Sequence, residues 1–440
     1  MKAFLKNSAI YISSELLISS ANLILTPFYL VKLSLDEIGS LSIILASYTI
    51  LQKLLNFGFQ SGYTRYAFHK EFIDLKIFSL VWVHLTFNSL ITFILMIALY
   101  FLPLETNTFN LAILILVTSG LRGTIVNNGL AILRVKEKVL MTGLIGISAT
   151  LTTITPILLL INFKTVDSLM AIALGNIIGA ITASALVMLF LKDQYRMSFP
   201  LNAFKKVFQY SKNLTFHGVF QWGMVSGDRF VLLALMNKNI LGGYFVMYQA
   251  PLFVHLLFRA INNAILPKFS KASAMNDLKD SDLMDLKQEI KIYIYIIIAL
   301  SIISLSIPFI PSLLPILSQF LGVYNKYLVL IPSLISGALF MALYYLPMNL
   351  ITITKGETKN ISSSTLSALL LGITINFFFL KTFGVRVAAF ASMSSFGLLL
   401  ILILNRAIKK GNYNKLLPLK SIFMVSGLNF IFSTLVLILK

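Results

Sequence analysis

Lys136-Glu-Lys138-Val-Leu-Met-Thr-Gly-Leu-Ile-Gly-Ile-Ser-Ala-Thr-Leu-Thr-Thr-Ile-Thr-Pro156-Ile-Leu-Leu-Leu-Ile-Asn-Phe-Lys164-Thr-Val-Asp167-Ser-Leu-Met-Ala-Ile-Ala-Leu-Gly175-Asn-Ile-Ile-Gly-Ala-Ile-Thr-Ala-Ser-Ala-Leu-Val-Met-Leu-Phe-Leu-Lys192 contains two apolar runs, 140–161 and 168–191. A bilayer core of about 30 Å is crossed by about 20 apolar helical residues, and both runs are that long. The short segment between them holds a single cation, Lys164, whereas the flanks hold Lys136, Lys138, Lys192 and Arg196. Two spans with positive flanks on the same side describe a helical hairpin through a membrane.

The same pattern runs through the chain. Thirteen apolar runs occur at about 8–31, 38–61, 77–102, 111–133, 140–161, 168–191, 213–236, 241–266, 292–316, 328–354, 361–380, 387–405 and 421–439. With the N-terminus placed in the cytoplasm, 25 of the 36 Lys and Arg fall in cytoplasmic segments. Seven fall outside: Lys32, Lys164, Lys238, Lys326, Lys381, Arg386 and Lys440. A wrong number of spans would scramble this alternation, so the charges support both the span count and the orientation. The expected arrangement is a multi-pass membrane protein with the N-terminus in the cytoplasm.

Composition narrows the class. The chain is 58% hydrophobic, with mean hydropathy +0.87, which leaves no room for a separate soluble domain. The net charge of +20 is spread over the cytoplasmic loops rather than on one surface, so it does not signal nucleic-acid binding. Without cysteine there are no disulfides or thiolate metal sites. Continuous runs exclude a membrane β-barrel, whose strands alternate in segments of about ten residues. No His-Glu-x-x-His spacing points to a metal, and no cofactor is expected. The first run carries Glu15 and is too long for a signal-peptide core, so it is expected to be retained.

The chain also looks duplicated. Lys32-Leu-Ser-Leu-Asp-Glu-Ile-Gly39 joins spans one and two, and Asn237-Lys-Asn-Ile-Leu-Gly242 joins spans seven and eight. Each is a short polar turn, an aliphatic residue, Gly and a new helix. Lys136-Glu-Lys before span five matches Lys355-Gly-Glu-Thr-Lys before span eleven. Six spans per repeat is even, so the halves share one orientation, with a pseudo-two-fold along the membrane normal. The expected fold is all-α: a polytopic membrane bundle of two six-helix lobes and an extra C-terminal helix. The lobes are expected at 1–191 and 213–405, a cytoplasmic linker at 192–212, and a loop and accessory helix at 406–440.

Four stretches resemble the Wzx-like polysaccharide and O-antigen flippases of the multidrug/oligosaccharidyl-lipid/polysaccharide (MOP) transporter superfamily. They are Leu55-Asn-Phe-Gly58-Phe-Gln-Ser-Gly-Tyr-Thr-Arg65-Tyr; Gly227-Asp228-Arg229-Phe-Val-Leu-Leu with Leu241-Gly-Gly-Tyr244; Ile-Thr-Lys355-Gly356-Glu-Thr-Lys359-Asn; and Asn376-Phe-Phe-Phe-Leu-Lys-Thr-Phe-Gly384-Val-Arg386-Val-Ala388-Ala. They cover residues 55–389 in order. Val-Arg386-Val departs from the small Gly-Ala pair usual in the family. The resemblance implies two lobes around a central cavity, alternating access, and an undecaprenyl-diphosphate-linked oligosaccharide as substrate. It also implies a polysaccharide polymerase and a chain-length regulator as partners, beside membrane lipids. Two other readings remain: a drug/cation antiporter of the MATE type, and a membrane enzyme of polysaccharide assembly. The short outer loops and the lack of a nucleophile–base constellation argue against the enzyme.

Six charged residues lie inside runs: Glu15, Lys53, Arg122, Asp228, Arg229 and Arg259. Facing lipid, each would cost about 2.5–3.5 kcal/mol near the bilayer centre, so they are expected to face the interior, pair or snorkel. Four cations against two anions suit an anionic head group. Arg122, Arg259, Lys53 and Arg229 are therefore the candidate diphosphate and sugar contacts, with Arg favoured for its bidentate fork. Glu15 and Asp228 are candidates for ion coupling or charge balance. Asp228 and Arg229 point about 100° apart and are expected to pair with other spans. His84, His217 and His255 read as hydrogen-bonded packing residues. Tyr63, Tyr66, Tyr244, Tyr248, Tyr344 and Tyr345 are candidates to stack on sugar rings, and Pro27 is a candidate hinge for gating.

Overall fold

The computed structural model describes residues 21–66, 68–69, 79–103, 105–194, 200–275, 280–309, 322–354, 358, 361–410 and 418–439. Those residues are overwhelmingly helical, and none of them forms a strand. In chain order the helices are α1 Ala21–Ile24, α2 Thr26–Lys32, α3 Leu35–Asn56, α4 Phe59–Tyr66, α5 Ser79–Tyr100, α6 Thr106–Leu121, α7 Asn127–Val135, α8 Val139–Asn162 and α9 Ser168–Phe190. They continue as α10 Leu201–Leu235, α11 Lys238–Met275, α12 Asp280–Ser306, α13 Ile331–Asn349, α14 Ile361–Phe383, α15 Arg386–Lys410 and α16 Leu419–Leu439.

Among the described residues, eleven helices are long and apolar enough to cross a membrane. They correspond to eleven of the thirteen runs. The run at 8–31 lies mostly outside the described residues, Glu15 with it; its described part, α1 and α2, breaks at Leu25 just before Pro27. The run at 213–236 forms the second half of α10, a 35-residue helix that is more polar than the other spans. At 1.5 Å per residue α10 is about 50 Å long, well beyond a 30 Å core. Residues 201–212 are thus helical and continuous with span seven. Span faces such as Leu90, Phe93, Phe377 and Phe378 are exposed, as lipid-facing side chains are.

Helix starts follow local chemistry. Ser34 caps α3 in a reciprocal box, accepting from Glu37 N at 3.3 Å while its own N–H donates to Glu37 Oε2 at 2.8 Å. Asn237 Oδ1 caps the start of α11, accepting from Ile240 N at 2.9 Å. The two caps stand 203 residues apart, the offset that relates Gly39 to Gly242. These junctions meet each other. A Cβ on Gly39 would lie 2.4 Å from Lys238 O, and one on Gly242 would lie 2.2 Å from Leu35 O. Lys238 is Leu35 displaced by the same 203, so the contact is reciprocal, as a two-fold between duplicated lobes requires.

The buried apolar residues reflect this organisation. One cluster runs from Met224 to Leu437. A second joins Phe59, Tyr63, Ile125, Leu133 and Val187 to Ala203 and Val207 of α10. A third joins Leu25, Tyr29, Ile38, Leu41 and Ile157 to Phe245 of α11. Each lobe is therefore stitched to its neighbour near both ends. The accessory helix α16 docks on the second lobe: Asn429 Nδ2 donates to Ser301 Oγ at 2.8 Å, and the Ser433 and Ser336 hydroxyls lie 2.8 Å apart.

Candidate substrate site at the lobe interface

Helix α3 lies against both lobes, and its faces separate the candidate cations. One stripe, Ser42, Ala46, Thr49 and Lys53, follows the i, i+4, i+7, i+11 spacing of a single face. It meets the second lobe. Arg229 Nη1 donates to Ser42 O at 3.3 Å, and Trp222 Nε1 donates to Ala46 O at 2.9 Å and Thr49 Oγ1 at 3.1 Å. At the inner end of the stripe, Lys53 lies within electrostatic reach of Arg259 from α11. Both act on His255, and Lys53 also acts on His217. A cation from each lobe is thus within electrostatic reach of the other across the interface.

Nearby, Gly218 is half-buried, and a Cβ there would meet nothing within 4 Å. Open space therefore lies at Gly218, on the α10 face that carries Trp222 one turn further on. Beside His255 a cavity of about 20 Å³, lined by Tyr248, Pro251 and Met341 among others, has room for about one water.

The other candidates are placed differently. Arg122 sits on the opposite side of α3, its guanidinium 5.7 Å from the Tyr48 ring centre. It opens a π-turn, Arg122–Val126, within span four. Arg229 is buried, with its guanidinium 5.0 Å and 5.2 Å from the rings of Phe245 and Tyr248. Asp228 accepts from Tyr244 and also feels the charge of Arg229. Their side chains reach other helices, Asp228 meeting Tyr244 of α11 and Arg229 meeting Ser42 of α3. Their surroundings tie spans two, seven and eight together.

The histidines sit in hydrogen-bonded packing. Thr365 Oγ1 donates to Ile361 O at 3.0 Å, so His217 Nδ1 donates to Thr365 at 2.6 Å and Nε2 accepts from Tyr344 at 2.9 Å. His84 Nε2 donates to Leu55 O at 2.9 Å, and its Nδ1 accepts from Asn128 at 3.1 Å. Asn56 Nδ2 reaches Gly123 O at 2.6 Å and Asn128 Oδ1 at 3.0 Å. This network serves the backbone where α3 ends, at Phe57 (φ 49°) and Gly58 (φ 67°). A broken helix inside a membrane needs such partners for its freed carbonyls. Of the candidate sugar-stacking tyrosines, Tyr63, Tyr244, Tyr248 and Tyr344 are buried, while Tyr66 and Tyr345 are partly accessible.

Residues 33–315 match the family model described as "Polysaccharide biosynthesis protein". The chain belongs to that family. This agrees with the resemblance to Wzx-like MOP flippases carried by the four sequence stretches. Among curated proteins, none is close enough in sequence to match. Solved structures with the same fold include an outward-facing multidrug-resistance MATE family transporter of the MOP superfamily, 16% identical, with TM-score 0.69 and 93% of this chain covering 95% of that one. A eukaryotic MATE transporter is 12% identical, with TM-score 0.66, and the alignment covers 97% of this chain and 99% of that one. A MOP superfamily transporter from Pyrococcus furiosus, described as having a binding pocket of reverse polarity, is 15% identical, with TM-score 0.65 and coverage of 93% and 96%. This member of the family is a multi-pass membrane protein with a MATE/MOP transporter fold.

Two residues of the interface escaped the sequence reading. Trp222 carried no charge to draw attention. Arg65 lies in the Leu55–Tyr66 motif beyond the apolar core of its span, and the neighbouring Tyr63 and Tyr66 are the sequence signal that marks it.

Proposed function

We propose that this family member flips an undecaprenyl-diphosphate-linked oligosaccharide, such as an O-antigen or capsular repeat unit, from the cytoplasmic to the outer face of the inner membrane. The observation that supports it most directly is that Lys53 feels the like charge of Arg259 from the opposite lobe. Like charges brought together at a low-dielectric interface raise each other's energy, and a diphosphate bridging them removes that repulsion. An interface of this sign repels the cationic cargo of a drug antiporter. The cation-rich loops mark the cytoplasmic face, from which the lipid-linked sugar would enter.

The test is translocation of a fluorescent diphosphate-linked oligosaccharide lipid in proteoliposomes, alongside efflux of a cationic dye. Lys53→Gln and Arg259→Gln are each expected to lower lipid translocation by about tenfold or more, because charge-assisted contacts to phosphate are lost. Unchanged lipid translocation in both variants, or cation efflux that survives in the wild type without lipid translocation, would sink this reading.

A further inference from the structure

The end of the bundle that carries the cation-rich loops has a bond between the lobes that the candidate site does not use. Helix α4 leaves the break at Phe57–Gly58 and ends at Arg65 and Tyr66. Arg65 Nη1 donates across the lobes to two carbonyls of span ten, Ile353 O at 2.5 Å and Thr352 O at 3.4 Å. Tyr210 Oη, from α10, donates to Thr352 O at 3.0 Å.

These carbonyls are available because span ten ends in a π-turn, Leu350–Thr354, just after Pro347. A π-turn shifts the helical pairing by one residue and leaves carbonyls to be satisfied from outside. The guanidinium is held 5.8 Å from the Tyr66 ring centre and 5.4 Å from that of Tyr210. Lys206 Nζ stands 5.8 Å from the Tyr66 ring. Among the described residues, the groups holding Arg65 are neutral carbonyls and aromatic faces.

We infer that Arg65 is an anion-released latch. With no phosphate present, it ties the two lobes together at the cation-rich mouth. A phosphate or diphosphate group arriving there takes the guanidinium fork in bidentate bonds between opposite charges, whereas the carbonyls meet it only as neutral acceptors. Ile353 O then loses the Arg65 donor, Thr352 O keeps only its bond from Tyr210, and the mouth opens. Lys206 adds a second positive charge to the same mouth. The inference rests on the proposed function for the identity of the anion, since a diphosphate carrier supplies this group. The latch itself rests on the inter-lobe bonds.

The absence of cysteine makes the test direct, because labels report only where they are introduced. Spin labels at Lys138→Cys and Lys409→Cys, exposed positions at the cation-rich ends of the two lobes, read the mouth as a distance distribution. In lipid nanodiscs without ligand, Arg65→Ala is expected to raise the ratio of open to closed distances by about tenfold or more, the scale of losing hydrogen bonds from a charged donor. Arg65→Lys should lie between, since it keeps the charge without the fork. Inorganic diphosphate should open the wild type and leave the Arg65→Ala distribution unmoved; the diphosphate-lipid should do the same at lower concentration.

A ligand-free Arg65→Ala distribution like that of the wild type would overturn the latch. So would an Arg65→Ala protein that still responds fully to diphosphate. The ligand-free comparison is independent of the cargo, so failure of Lys53→Gln and Arg259→Gln to affect transport would strike the proposed function and leave the latch standing.

Discussion

At the scale of single residues, the charged groups in the spans divide into two kinds. Lys53 and Arg259 meet a like charge at the lobe interface. Asp228 and Arg229 are buried among bonded partners: Tyr244 for the carboxylate, Ser42 O and two aromatic rings for the guanidinium. Removing one member of a buried charged set typically destabilises by about 3–5 kcal/mol, because the other is left uncompensated. Asp228→Asn alone is expected to lower thermal stability in detergent, and the double variant Asp228→Asn/Arg229→Gln to recover part of the loss. A double variant at least as unstable as the sum of the singles would show that the two do not compensate each other. The presence of charge inside the spans was legible in the sequence, because a Lys or Arg in an apolar run stands out. Which cation meets which part of the other lobe was not: it depends on which face of α3 each neighbour meets, and that requires the docked lobes.

At the scale of elements, glycines set opposite constraints on helix pairs. Gly39 and Gly242 let α3 and α11 approach until backbone meets backbone at the end away from the cation-rich loops. Gly39→Ala or Gly242→Ala puts a methyl group into a carbonyl that cannot swing aside. Each is expected to cost about 1–3 kcal/mol, as overpacking does, and to favour conformations with that end open. Thermal unfolding, with cysteine labelling at that end, reads both effects; two unaffected variants would remove the close approach as a closing contact. Gly218→Leu should do the reverse: stability stays near wild type because the new side chain enters open space, while translocation falls as the gap fills. A Gly218→Leu protein that transports normally would mean the space is not on the substrate path. The matching junctions were visible beforehand as a repeated turn-and-glycine pattern. The π-turns at Arg122–Val126 and Leu350–Thr354 were not, since a one-residue shift in hydrogen bonding leaves no periodic signature in an apolar run. Nor could an apolarity count show that α10 continues through 201–212, because helix continuity across a polar stretch comes from packing on Ala203 and Val207.

At the scale of the whole molecule, the lobes touch at both ends, through Gly39 and Gly242 at one and Arg65 at the other. Under the proposed function, alternating access means breaking one contact while keeping the other, so the energy that drives export would come from the cargo or from a gradient. A diphosphate carries about two negative charges, and each gains about 2.3 kcal/mol per 100 mV on moving outward across an inside-negative membrane. The fixed charges of Lys53 and Arg259 counter this only as far as they travel with the head group. Rocking lobes shift residues near mid-depth much less than the lipid head group, which crosses the full core. Net outward movement of negative charge is therefore expected. In proteoliposomes, translocation should quicken as an inside-negative potential is imposed, with pH and Na⁺ held equal across the membrane. If Glu15 admits a proton or Na⁺ as the lipid leaves, an ion gradient adds a second drive, and Glu15→Gln should abolish that component while sparing the response to potential. Translocation indifferent to the potential in wild type would mean that the protein moves compensating positive charge with its cargo, and that export is drawn outward by consumption of the lipid-linked sugar.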